Sequence, residues 1–187
     1  MEKRQSKKPL IRFPEFKDGW EYKPLNELLS ESKRRNEKLK FGKDKVLSVS
    51  GELGIVNQIE HLGRSYAGVS VHNYHIVNTG DIVYTKSPLK ANHPYGIIKL
   101  NKGKAGIVST LYAVYTPNKK TVHAPFLDCY FSLDANTNRY LRPLVEKIRT
   151  NLYAVPNIVL SSFLWVVCIK TVLENCSVKP CRLRADQ

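Results

Sequence analysis

Residues 79–115 read TGDIVYTKSPLKANHPYGIIKLNKGKAGIVSTLYAVY, and the fold turns on this stretch. It alternates short β-branched and aromatic runs with two basic loops. Gly80-Asp81 is a turn signal, and Ile82, Val83 and Tyr84 form a strand-like run. The first loop, Thr85 to Tyr95, carries Lys86, Ser87, Lys90, Asn92 and His93, with Pro88 and Pro94 stiffening it. Gly96 then releases Ile97-Ile98. Asn101-Lys102-Gly103-Lys104 predicts a hairpin-like turn into Gly106-Ile107-Val108, and the last strand, Leu111 to Tyr115, ends at Pro117-Asn118. Rigid strands that hold up loops rich in Lys, Asn, Ser and His make a surface suited to reading a polyanion.

The charge balance points the same way. The 187 residues carry a net charge of +14, which favours an acidic partner, nucleic acid first and an anionic membrane second. Residues 80–120 hold seven lysines against Asp81 alone, whereas 46–79 hold Arg64 against Glu52 and Glu60. The N-terminal block to Lys45 mixes signs as a solvated helix face does, so the lysines of 80–120 are the better candidates for phosphate contact. A 42% hydrophobic content predicts a folded chain, and the length suits one ordinary domain. No apolar run approaches the roughly 20 residues that span a bilayer. The opening MEKRQSKKPL is not followed by a secretory apolar segment, and four cysteines in a chain this long make no disulfide framework. A cytoplasmic protein is expected.

In chain order, residues 1–8 read as a disordered start, and Pro9 to Phe16 as a stiff apolar strap with Phe13, Phe16 and Trp20 as anchors. A helix is expected over about Pro24–Ser30, with Leu25, Leu28 and Leu29 on one face. Glu31 to Lys45 reads as a charged loop or a frayed helix end. Val46 to Val49 is a strand, Gly51 and Gly54 flank a turn into Ile55-Val56, and Asn57 to Gly63 fits a short helix or an extended connection. Asn136 to Arg149 predicts a helix with Leu141, Leu144, Val145 and Ile148 on one stripe and Pro143 in its first turn. Val-rich residues within 157–173 fit a buried strand.

Four segments together carry a family resemblance. IRFPEFKDGWEYKPLNELL (11–29), VLSVSGELGIVNQ (46–58), YHIVNTGDIVYTKSPLKANHPYGIIK (74–99) and GIVSTLYAVY (106–115) resemble, in order, one target-recognition domain of the DNA-specificity subunit of a type I restriction–modification enzyme. GDIVYTKSP and GIVSTLYAVY are the most telling parts, and the likeness covers residues 9–150. Such subunits carry two recognition domains separated by long helices. The domains each read half of a split target, and the helices set the spacing and dock methyltransferase subunits, which recruit the restriction subunits.

The chain departs from that plan. It has room for one recognition domain, like a half-subunit, a fragment or a truncated product. Asn157-Ile158 and Phe163-Leu164 resemble the start of the family's spacer, but WVVCIKTVLENCSVKPCRLRADQ (165–187) has no Glu-Gln pair and no long heptad pattern. Residues 151–187 therefore stand as an atypical segment, as a frameshift would leave, in place of the spacer helix.

Side chains suited to duplex DNA are Lys and Arg for phosphates and Asn, Ser, Thr, His and Arg for base edges. On that ground Lys86, Ser87, Lys90, Asn92, His93, Lys102 and Lys104 are candidate contacts, and Arg64, Ser65, Tyr66, His72 and Asn73 form a second candidate loop. Tyr66 and Tyr74 at strand edges also suit packing, and a solvated surface is the bland alternative for any basic run.

Catalysis is not expected. The glycines form no dinucleotide fingerprint, no GK[ST] motif or methyltransferase tetrapeptide occurs, and Glu15-Phe16-Lys17 lacks the Asp of a nuclease. His72 and His75 would face opposite sides of a strand, and Cys168, Cys176 and Cys181 lack zinc-ligand spacing. Asp81 reads as a turn or cap residue. The expectation is therefore an α+β domain with a mixed, twisted sheet and peripheral helices, without cofactor or metal. It would bind double-stranded DNA and methyltransferase subunits, and a second copy of itself is a further candidate partner. The alternatives are a non-reading assembly or decoy protein and a general basic nucleic-acid-binding module.

Overall fold

A computed structural model describes residues 21–85 and 95–149 and a strand at 165–168, with side chains over 23–85 and 95–142. The expected disordered start, the strap with its three aromatic anchors and most of the atypical C-terminal segment lie outside the described residues. Strand β1 (Glu21–Pro24) leads into a single helical turn, α1 (Leu25–Leu28), and then into β2 (Leu29–Glu31). The helix expected to reach Ser30 thus stops two residues short, because Leu29 turns extended and the following residues pair with another strand. A 3-10 turn at Lys43–Lys45 precedes β3 (Leu47–Ser50) and β4 (Gly54–Asn57), the predicted hairpin. Helix α2 (Gln58–Leu62) resolves the ambiguous 57–63 segment. Asn57 caps it by accepting the Ile59 and Glu60 amides, and Gly63 closes it in the left-handed region.

Strands β5 (His75–Val77), β6 (Ile82–Thr85), β7 (Ile98–Leu100), β8 (Gly106–Val108) and β9 (Tyr112–Pro117) follow. The central sheet has the order β2-β9-β6-β7, and β5 pairs with β8 apart from it. The fold is α+β, as expected. Among the described residues every strand ladder is antiparallel, where the sequence suggests a mixed sheet, and parallel pairing enters only as the isolated bridge Val46–Ile107. The turn at 101–104 does not close a hairpin between its flanking strands, because β8 takes β5 as its partner. It passes the chain from one layer to the next.

Period-two alternation explains the layers. Ile82, Tyr84, Ile98, Leu100, Ala113 and Tyr115 point to one face of the central sheet, where they pack with Leu25, Leu28, Leu127, Phe131, Tyr140 and Leu141. Val83, Ile97 and Val114 point to the other, against Leu47 and Val49 of the β3–β4 hairpin and Val77 and Val108 of the β5–β8 pair. Both faces are covered, which is why β6 reads as an uninterrupted apolar run rather than alternating. Each fully buried valine or leucine here contributes roughly 1.5–3 kcal/mol. The Tyr84 hydroxyl donates to the Tyr95 carbonyl at 3.0 Å, and burial pushes its phenol well above its ordinary range. Gly96 holds φ at 105°, and a Cβ there would collide with the Thr85 carbonyl, so glycine is required where the chain returns to the sheet.

Two helices cover the first face. The earlier one, α3 (Ala124–Ser132), has no counterpart in the sequence reading, although Pro125 sits in its first turn and Leu127 and Phe131 are one turn apart. Its buried Asp128 accepts the Leu100 amide at 3.0 Å, satisfying a donor on strand β7 that no other described strand takes up. The second, α4 (Asp134–Arg149), begins two residues before the predicted start, and Pro143, its tenth residue, lies in its interior and not in its first turn. The helical bond to the Arg139 carbonyl cannot form there. Strand β10 (Trp165–Cys168) pairs antiparallel with β1, placing part of the Val-rich 157–173 region in a strand.

Candidate functional site

The register of the central sheet separates the two basic loops. Ile82 pairs with Leu100 and Tyr84 with Ile98, so residues 101–104 lie at the start of β6, beside Gly80 and Asp81. Thr85 and Tyr95, the described residues that flank 86–94, lie at its far end, about 10 Å of strand away. Lys102 and Lys104 therefore lie away from the end of β6 that leads into 86–94. Lys86, Ser87, Lys90, Asn92 and His93 themselves fall outside the described residues.

The far end of β6 is where the second candidate loop comes in. Tyr112 of β9 pairs with Thr85, and Ser109 to Leu111 precede it. Tyr74 enters β5 beside the end of β8, since His75 pairs with Val108. Between these elements opens a cleft of about 360 Å³ lined by Val46, Leu47, Gln58, Tyr66, Tyr74, Thr85, Ser109, Leu111 and Tyr112. The Arg64 guanidinium lies over the Tyr66 ring, 4.7 Å from its centroid, and both residues are exposed. Such a stack fixes a planar cation beside an aromatic face at about 0.5–1 kcal/mol for an exposed pair.

The backbone under this loop is held by side chains. Gln58 accepts the Tyr66 amide through Oε1 at 2.8 Å and donates through Nε2 to Ser48 Oγ at 2.7 Å, tying α2 and β3 to the loop. Ser65 accepts the Ala67 amide through Oγ at 3.2 Å, a turn-forming role. Asn36 is fully buried: its amide donates to the Phe41 and Val71 carbonyls and its Oδ1 accepts the Phe41 amide. Arg35 donates to the Asn73 carbonyl at 2.9 Å. His72 and Asn73 are exposed, with His72 Nδ1 3.1 Å from Asn73 Oδ1. Arg64, Tyr66, His72 and Asn73 are thus presented to solvent at one end of the sheet on a braced loop.

Lys102 and Lys104 sit at the opposite end. Asn101, 1% exposed, builds their turn by donating to the Asn78 and Lys104 carbonyls and accepting the Gly103 amide. Lys102 Nζ lies 2.6 Å from Asp128 Oδ2, so its charge already has a carboxylate partner, while Lys104 is exposed. Among the described residues no group of three His, Cys, Asp or Glu side chains is placed to hold a metal ion, and no helix is long and apolar enough to cross a membrane. Compared with known proteins, the chain matches no family model, no curated protein and no solved structure.

The residues that sequence reasoning missed are Gln58, Asn36 and Asn101, which shape the loops rather than project from them. A polar side chain inside an otherwise charged or apolar stretch was their only signal. Asp81 does prove to be a turn residue, accepting the Asn78 amide at 2.8 Å, and it is also ion-paired with Arg34 at 2.7 Å.

Proposed function

We propose that this chain reads a short duplex DNA sequence as the specificity component of a type I restriction–modification complex, without catalysis of its own. One observation carries the reading. Arg64 over Tyr66, together with His72 and Asn73, projects from a braced loop at the end of the sheet whose residues Thr85 and Tyr95 bracket the basic segment 86–94. Arg and Lys supply phosphate contact there, and Asn, His and Arg supply base-edge hydrogen bonds. A core packed on both faces lets such loops vary without loss of the scaffold. The sequence resemblance adds the partners: methyltransferase subunits, and through them restriction subunits, with a second copy supplying the other half-site.

A pair of substitutions tests this placement. Arg64→Ala is expected to weaken duplex binding and to reduce the slope of log affinity against log salt by about one, as loss of one phosphate contact does. Lys102→Ala is expected to leave both nearly unchanged, because its ammonium is engaged by Asp128 at the other end of the sheet. Equal losses from the two variants, or none from Arg64→Ala, would contradict the proposed face.

A further inference from the structure

We infer that the cleft between Tyr66, Tyr74 and Tyr112 is a receptor for a single nucleobase turned out of the DNA stack. This deepens the DNA-reading proposal and rests on it. The cleft volume of about 360 Å³ falls at the small end of ligand pockets, which run from roughly 300 to 1,000 Å³. Its lining combines three tyrosine rings with the apolar Val46, Leu47 and Leu111 and the polar Gln58, Thr85 and Ser109. That is the composition that accepts a planar heterocycle: aromatic faces for stacking, and for its edge the Ser109 side chain and the Thr85 hydroxyl, whose oxygen also accepts the Ile97 amide at 2.8 Å.

The rim carries the charge that such a ligand brings with it. Arg64, held over Tyr66, places a guanidinium beside the cleft, where the phosphates flanking an extruded base would lie. Tyr66 is 59% exposed and Leu111 65% exposed, so one wall is open to a strand approaching from solvent. Gln58 is committed to Ser48 and to the Tyr66 amide, which holds the Tyr66 backbone in place before any ligand arrives. A protein with 30 Lys and Arg against 16 Asp and Glu draws a polyanion to this opening rather than a neutral aromatic metabolite.

The test compares a fully paired duplex with the same duplex carrying one unpaired adenine, where extrusion costs least. The whole chain is expected to bind the bulged duplex about tenfold more tightly, the scale of one base–aromatic stack. Tyr66→Ala is expected to bring the ratio to about one, and Tyr66→Phe, which keeps the ring, to preserve it. Because Tyr66 is exposed, neither variant threatens the core. A ratio near one in the unaltered protein, or a preference that survives Tyr66→Ala, overturns the inference. The DNA-reading proposal fails separately, on paired duplexes: a bulge preference without enrichment of any paired sequence would retain the cleft and remove the reader.

Discussion

Asp81→Ala is expected to lower stability by about 3 kcal/mol, which for a chain of this size is about 10 °C in Tm. Asp81 is 3% exposed at the entry to the central strand. Its Oδ2 accepts the Asn78 amide at 2.8 Å and pairs with Arg34 at 2.7 Å, and its Oδ1 accepts the Thr116 hydroxyl at 2.9 Å. Alanine removes both acceptor oxygens and with them all three contacts, and leaves the Asn78 amide without this partner. Asp81→Asn keeps an acceptor oxygen and loses the ion pair, so it is expected to cost less. Arg34→Ala is expected to cost least: the Arg34 side chain is 43% exposed, and water can replace much of what the guanidinium gives. Thermal or urea unfolding of the three variants gives the order. Equal costs, or a larger effect from Arg34 than from Asp81, would show that the carboxylate does not organise this corner.

Raising salt from about 50 to about 200 mM is expected to weaken binding to the preferred duplex about fortyfold, the loss that roughly three phosphate contacts produce. The prediction follows from the surplus of basic over acidic residues and from where the cations sit. Arg34 and Lys102 are ion-paired within the fold and Lys104 lies at the opposite end of the sheet, whereas Arg64 is exposed on the proposed face. The segment 86–94 adds Lys86 and Lys90. A loss below tenfold over that interval would mean that few of these cations meet phosphate. The chain would then recognise something other than a nucleic-acid backbone.

The strands of this domain were readable because period-two patterning and turn chemistry agree. Ile82 to Tyr84, the 47–57 hairpin and Tyr112 to Tyr115 all fall where the β-branched runs and glycines put them. The pairing was less readable. Gly103 beside Lys102 and Lys104 looks like a hairpin turn, but Gly106 to Val108 finds its partner in His75 to Val77, some thirty residues earlier. Register between distant strands is decided by which buried faces meet, and a local window carries none of that. Helix α3 was missed for a related reason: the predicted helix at 136–149 has a clear stripe, whereas Ala124 to Ser132 is apolar on more than one side because it packs between the sheet and α4.

Candidate site residues were legible by chemistry and not by position. Arg64, Tyr66, His72 and Asn73 share one end of the sheet. Lys102 and Lys104, chosen by the same reasoning from the same basic stretch, lie at the other, with Lys102 matched to a helix carboxylate that local sequence does not reveal. Ser65 was selected as a contact and serves a turn. Side chains that brace a loop look in sequence like side chains that project from it.

The central claim, sequence-specific reading of duplex DNA, is tested most directly by incubating the purified chain with a randomised duplex pool at moderate salt and sequencing what is retained. The account predicts enrichment of one short motif, the half-site. Retention without enrichment would contradict it and leave only charge-driven binding.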